Sequence, residues 1–336
     1  MAPYIEEKEI AIAENSKSVP PTPLAAPREY TIVYSVVLIF VYWHIGALYG
    51  LYLGFTSAKW ATIIFNYLIY VTGGFAITAG SHRLWSHRAF KAKLPLQILL
   101  MLLQTMSCQK SVLNWVRDHR LHHKYCDTDA DPYNSTRGLF YSHIGWLMVK
   151  KHPEVIRQGR RIDMSDLEDN PVLKFQKKYY LILVTLMAFI MPVLVPVIFW
   201  QESLSIAHHV SLVHLVAGAH MTFAINSIAH AFGNKPYDKT ISPTQSLSLS
   251  LVTFGEGYHN YHHVFPFDYR VAELGNNYLN LTTNFIDFFA WIGWAYDLKY
   301  ASPDMVEQRA KRTGDGTDLW GRVIEDADIP ARIHGN

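Results

Sequence analysis

Four long apolar runs limit this chain more than any other feature. Residues 31–54, 60–80, 179–200 and 210–232 are each long enough to cover a hydrocarbon core of about 30 Å. Inside a bilayer no water satisfies backbone N–H and C=O groups, so such a run must bond to itself as a helix. Half of the residues are hydrophobic and 17% are charged, a departure from soluble usage toward the membrane. The expectation is an all-α integral membrane protein with four transmembrane helices. Only a short connector containing Lys59 separates the first two runs, which predicts a hairpin. Pro192 and Pro196 should kink the third helix. Residues 94–106 are apolar but too short to span, and read as interfacial or re-entrant. The stretch 284–296, with Phe285, Phe288, Phe289, Trp291 and Trp294, reads as an amphipathic interfacial helix.

The remainder divides accordingly. Residues 1–30 are polar, carry Pro20, Pro21, Pro23 and Pro27, and lack periodicity, so a disordered tail is expected, with no cleavable signal. A membrane domain covers 31–300, with a polar cap made from 81–178 and 233–300, and 301–336 reads as a C-terminal tail. The two cysteines, Cys108 and Cys126, form no CxxC, which excludes a disulfide framework and a cysteine-rich zinc site. A net charge of +2 offers nothing for nucleic acid.

The cap carries the chemistry. His119, His122 and His123 stand at i, i+3 and i+4 in a polar stretch with Arg117, Asp118, Arg120 and Lys124, so one helical face presents all three imidazoles. His259, His262 and His263 repeat that spacing near the other end. His82 and His87 are five apart, about 140° around an α-helix, which predicts a bend or helix end between them. Asn226 and His230 are i, i+4 on the fourth run; His230 is expected to ligate directly and Asn226 through water. An even number of crossings separates the clusters, so all face one side. Lys and Arg fill the 81–178 loop and are nearly absent from the opposite linkers, which places the histidine side and both termini in the cytosol. Asn134-Ser135-Thr136 and Asn280-Leu281-Thr282 match the glycosylation pattern but should then stay unmodified.

The set His82, His87, His119, His122, His123, His230, His259, His262 and His263 exceeds what one metal can take, so two metals are expected. Imidazole suits iron, zinc, copper and nickel alike. HExxH is absent, and a structural zinc would need only four closed ligands. Two redox metals beside a membrane cavity suggest oxygen activation, which favours iron. The other histidines, His44, His143, His152, His208, His209, His214, His220 and His334, lack paired spacing and read as structural or surface.

The boxes HRLWSH, HRLHH and HNYHH, with Asn226-Ser227-Ile228-Ala229-His230, Asp129-Ala130-Asp131-Pro132, Gly255-Glu256-Gly257 and Lys311-Arg312-Thr313-Gly314-Asp315-Gly316, resemble the membrane acyl-CoA desaturases of the stearoyl-CoA type over about 31–316. The insect members are the most similar, above all moth enzymes of sex-pheromone synthesis. The resemblance implies a di-iron centre without a separate acid or base residue. It implies a fatty acyl-CoA and O2 as substrates and electrons from cytochrome b5 with its NADH-dependent reductase. It implies an endoplasmic reticulum membrane location and a double bond at Δ9 or Δ11. No fused HPGG-type heme segment is present.

By the same resemblance Arg117, Asp118, Lys150 and Lys151 meet the head group, Gln109, Trp115 and Thr222 line the bend of an acyl tunnel, and Tyr70 and Gly74 lie where it closes. Two positions depart from the family's habit: Phe223 stands for a common Trp, and Lys110-Ser111 for Asn-Asp. Both bear on substrate choice. A hydroxylase or acetylenase on the same scaffold is the alternative enzyme, and a membrane metal or heme-electron carrier using His214, His220 and His230 is the alternative of another class.

Overall fold

A computed structural model describes residues 30–273 and 279–324. The N-terminal tail expected over 1–30 lies almost wholly outside the described residues, as does the end of the C-terminal one. Among the described residues four helices are long and apolar enough to cross a membrane: α1 (Tyr34–Thr56), α2 (Trp60–Ser86), α6 (Pro171–Trp200) and α7 (Leu204–Ala231). The cap adds α3 (Leu94–Met106), α4 (Val112–Tyr125), α5 (Pro153–Gly159), α8 (Leu247–Val252), α9 (His259–Val264), α10 (Leu281–Trp291) and α11 (Pro303–Thr313). β1 (Lys91–Ala92) pairs antiparallel with β2 (Ala295–Tyr296), Lys91 opposite Tyr296 and Ala92 opposite Ala295.

The helix α1 is apolar on every face, so lipid takes one side, where Leu38, Ile45, Leu48 and Phe55 are exposed. Its other side is made of small residues, Gly46, Ala47 and Gly50, against α7. A Cβ at Gly50 would collide with the His209 carbonyl, so glycine sets the approach of the two backbones. The chain enters α1 from the cap side, because Val33 N–H donates to the Met148 carbonyl (2.7 Å) and Lys150 N–H to the Thr31 carbonyl (2.9 Å).

The last two spans start earlier than hydropathy suggested. Pro171 opens α6, where Asn170 accepts from the N–H groups of Val172 (3.0 Å) and Leu173 (3.3 Å). A π-helical stretch at Thr185–Ile190 precedes Pro192. A proline removes one donor and crowds the preceding turn, and a wider turn accommodates it. Ser203 caps α7 through Ile206 N–H at 3.1 Å. His208 and His209, which read as linker, belong to the helix, held by Tyr42 OH (2.6 Å) and the Ser205 carbonyl (2.8 Å).

The face of α3 that carries Leu96, Leu100 and Met101 joins a core with Val112 and Val116 of α4, Leu173 of α6, and Ile286 and Phe289 of α10. Leu94 and Ile98 stay exposed on its outer side. The helix α10 is two-faced as expected, with Ile286 and Phe289 buried and Phe288 and Trp291 exposed. The packed cap continues past residue 300. Val306 and Ala310 of α11 pack on Tyr237, Tyr261 and Phe265, and Arg309 pairs with Asp238 at 2.5 Å.

Candidate metal centre

The nine clustered histidines converge. The ring nitrogens of His82, His87, His119, His123 and His262 lie within 4.8 Å of one another, and those of His122, His230, His259 and His263 form a second such group. Four elements supply them: α2 and its end, α4, α7 and α9. The groups adjoin, with the His123 and His263 rings stacked at 4.2 Å.

Each local spacing has its structural reason. The α4 and α9 triplets use α-helical periodicity. A helix end lies between His82 and His87, as expected, because α2 stops at Ser86 and His87 is its C-cap. From Ala76 to Ser86, α2 runs as a π-helix, and the His87 N–H donates to the His82 carbonyl at 3.2 Å. An i→i+5 bond stacks residues five apart, so their rings come to 4.9 Å across that helix end.

The imidazoles present Nε2 to one another: His82 to His262 (2.9 Å), His87 to His119 (2.8 Å), His123 to His262 (2.9 Å), His230 to His259 (3.0 Å) and His259 to His263 (3.1 Å). Carboxylates stand behind three of them. His82 Nδ1 lies 2.8 Å from Glu256, His122 Nδ1 2.8 Å from Asp131, and His230 Nδ1 3.1 Å from Asp127. A neutral ring that donates Nδ1–H has only a lone pair at Nε2. Lone pairs directed at a common centre fit a cation, and donors bound at about 2.1 Å at right angles would stand about 3 Å apart. Burial first, and then repulsion among neighbouring rings, holds His87, His119, His123, His259, His262 and His263 well below the usual histidine range, so they stay neutral ligands.

The carboxylates are fixed in turn. Burial would raise Glu256, but Arg83 and His82 outweigh it and hold the carboxyl at about 2. Arg83 is wholly buried and also donates to the carbonyl of Tyr269 (2.8 Å), Thr283 Oγ1 (3.0 Å) and Asn280 Oδ1 (3.3 Å). Burial likewise opposes ionisation of Asp127, yet His230 and Ser242 keep it far below the usual range. Sequence reasoning gave no role to Arg83, Asp127, Asp131 or Glu256. Their proximity to the histidine boxes was the available signal. Asn226 lies on α7 one turn before His230, and its side chain makes no hydrogen bond with another described residue. Asn134 and Asn280 are buried, which agrees with both staying unmodified.

Residues 57–275 match the model of the fatty acid desaturase family. The chain belongs to that family. It is 58% identical over 308 residues to an acyl-CoA Delta(11) desaturase of Spodoptera littoralis, covering 92% of this chain and 90% of the relative. It is 57% identical over 295 residues to an (11Z)-hexadec-11-enoyl-CoA conjugase of Bombyx mori (88% and 89%). It is 52% identical over 306 residues to an acyl-CoA Delta-9 desaturase of Acheta domesticus (90% and 85%). The protein is thus a multi-pass membrane oxidoreductase of the desaturase type.

The expected substrate positions of this desaturase fall into two places. At the cap surface Asp118 is buried among Lys151 (2.8 Å), Arg117 (3.0 Å) and Lys110 (3.1 Å). Burial would raise its carboxyl, but the three cations hold it at about 2 and leave an excess of positive charge. Lys110, which departs from the family's habit, also sits over the Trp146 ring at 4.8 Å. Lys150 is exposed beside this group.

The other place is a narrow crevice between α2 and α7, lined among others by Tyr70, Gly74, Gln109 and Gly218. Gln109 donates to the Gly218 carbonyl (3.1 Å) and accepts from Thr222 (3.0 Å). Trp115 stacks on His119 at 4.9 Å. A Cβ at Gly74 would run into the Phe254 ring, so Phe254, absent from the sequence reading, occupies the space beside that glycine. Phe223 packs with Phe40, Tyr133, Ile144 and Trp146.

A heme carrier built on His214, His220 and His230 is not supported, because the three do not converge. His230 joins the metal-ready group, His220 bonds His44 and His143 (both 2.8 Å), and His214 bonds Asn66 (2.9 Å).

Proposed function

We propose that the chain is an acyl-CoA desaturase of the endoplasmic reticulum membrane, introducing a double bond at carbon 11 or 9 of a saturated long-chain fatty acyl-CoA. The observation that carries this reading is the gathering of nine histidines from four elements into two adjoining groups of Nε2 donors. Two iron ions held there would supply the redox chemistry by which O2 takes two hydrogens from adjacent carbons. The electrons come from cytochrome b5 and its NADH-dependent reductase.

The protein's own groups prepare that chemistry. Glu256, Asp131 and Asp127 fix the tautomers of His82, His122 and His230. Asn226 completes the four-histidine group through water. The cations around Asp118, with Lys150, receive the anionic head group, and bidentate Arg117 suits phosphate. Gln109, Thr222 and Trp115 orient the chain beside the metals, while Tyr70 and Gly74 border its path between α2 and α7. The conjugase and Delta(11) names among close relatives support desaturation over hydroxylation or acetylene formation, and support a place in pheromone-precursor synthesis. The lysine- and arginine-rich cap supports a cytosolic site with both termini on that side.

Expression in a yeast strain lacking its own acyl-CoA desaturase is the test. Growth without added unsaturated fatty acid, and an alkene located at carbon 11 or 9 by mass spectrometry, are expected. A stable, metal-loaded protein that yields only hydroxylated chains, or no product, sinks the proposal.

A further inference from the structure

The crevice between α2 and α7 has a polar end. His214 is 6% exposed and forms part of the wall with Ile69, Tyr70 and Leu215. Its Nδ1 lies 2.9 Å from Asn66 Oδ1. The Asn66 Nδ2 donates to the Thr62 carbonyl at 2.9 Å, which turns the amide oxygen toward the ring. The imidazole hydrogen therefore sits on Nδ1, and Nε2 is an acceptor lone pair. That nitrogen is buried and has no partner among the described residues.

The position is remote from the metal centre. Both α2 and α7 run from the far turns toward the histidine groups. His214 precedes His230 by 16 residues of α7, about 24 Å along the axis. Gln109 and Gly218 lie between these levels, so an acyl chain passing Gln109 away from the metals has its methyl end directed at His214. A hydrocarbon end leaves a buried acceptor unsatisfied, and a hydrogen-bond donor satisfies it.

We propose that His214 Nε2 accepts a hydrogen bond from a hydroxyl on the distal end of the acyl chain, with Asn66 as the positioning residue that fixes its tautomer. Hydroxylated acyl-CoAs are then a substrate class of this enzyme. The inference rests on the acyl-CoA desaturase reading above.

The full-length protein, in microsomes with its electron donors, is assayed on acyl-CoAs of graded length, each plain and with a hydroxyl on the terminal carbon. At the length that reaches His214 the hydroxylated chain shows a KM about tenfold lower than the plain one, the worth of one net hydrogen bond. The preference is lost in His214→Leu and partly restored in His214→Gln, whose side-chain oxygen can accept. The wild-type comparison stands even if the leucine variant does not fold. If hydroxylated chains are poorer at every length in the wild type, or the leucine variant keeps the preference, the nitrogen holds a water only and the proposal is overturned. Absence of a double bond in the plain chains as well would instead remove the desaturase reading beneath it.

Discussion

Glu256 shows how much one side chain holds in place. It contacts the fully buried Arg83 at 2.9 Å and His82 at 2.8 Å. Glu256→Gln removes the charge but not the volume. It leaves Arg83 buried without its anion, a loss of about 3–5 kcal/mol, and lets His82 change tautomer. Metal content of the purified variant should fall, with affinity down about 10–100-fold, along with the unfolding temperature. Asp131→Asn behind His122 should lower metal affinity in the same range with a smaller stability loss, because no buried arginine is orphaned. Metal analysis by mass spectrometry, with thermal unfolding of the same samples, separates the two cases.

The metal-ready histidines were legible because their spacing is local: i, i+3 and i+4 need only helical geometry. Their carboxylates were not, since Asp131 reaches His122 across a loop and Glu256 meets a ring 174 positions earlier in the chain. His214 and His220 read as merely structural because their partners, Asn66 and His44, belong to other helices.

Among the elements, the π-helical end of α2 was the least legible. Pattern reading assumes 3.6 residues per turn, and a π turn violates that assumption where His82 and His87 need it. The polar composition of α11 likewise concealed its packed face. Ending the chain at residue 300 removes Val306, Ala310 and the Arg309–Asp238 pair, and uncovers Tyr261, which lies between His259 and His262 on α9. Such a truncated protein should bind less metal and expose the 237–265 region to limited proteolysis.

Asp166 ties the end of α2 to α4 through Arg88 (2.7 Å) and Arg120 (2.8 Å). Burial opposes its ionisation, but the two arginines hold the carboxyl at about 2. A folded-state value below the unfolded one means stabilisation that is complete above the unfolded pKa and lost as pH falls through the folded one. Asp166→Asn should therefore cost at most about 1 kcal/mol at pH 7, as a partly exposed pair allows. The difference should shrink below about pH 4 and vanish only below about 2, as followed by unfolding midpoints at each pH.

At the scale of the whole molecule, the apolar runs made four membrane helices legible, while their starts shifted wherever a cap or a proline outranked hydropathy, as at Asn170, Pro171 and Ser203. The metal groups draw on helices far apart in the chain, so ligation and global stability are coupled. Stripping metal with a chelator should lower the unfolding temperature by several degrees or more, and re-adding ferrous iron should restore it. An unchanged transition would mean that the histidine groups hold nothing in the folded state.

The turns opposite the cap are among the shortest pieces of the chain, Ser57–Lys59 between α1 and α2 and Gln201–Ser203 between α6 and α7. They are fastened to each other, for Glu202 accepts from the Lys59 N–H (2.8 Å) and Thr62 Oγ1 (2.6 Å), and the Lys59 ammonium donates to the Trp200 carbonyl (2.6 Å). A protease, antibody or soluble regulator arriving from that compartment meets a tied knot of a few residues and no foothold. Whatever this protein exchanges with its surroundings outside the bilayer, it must exchange across a single face.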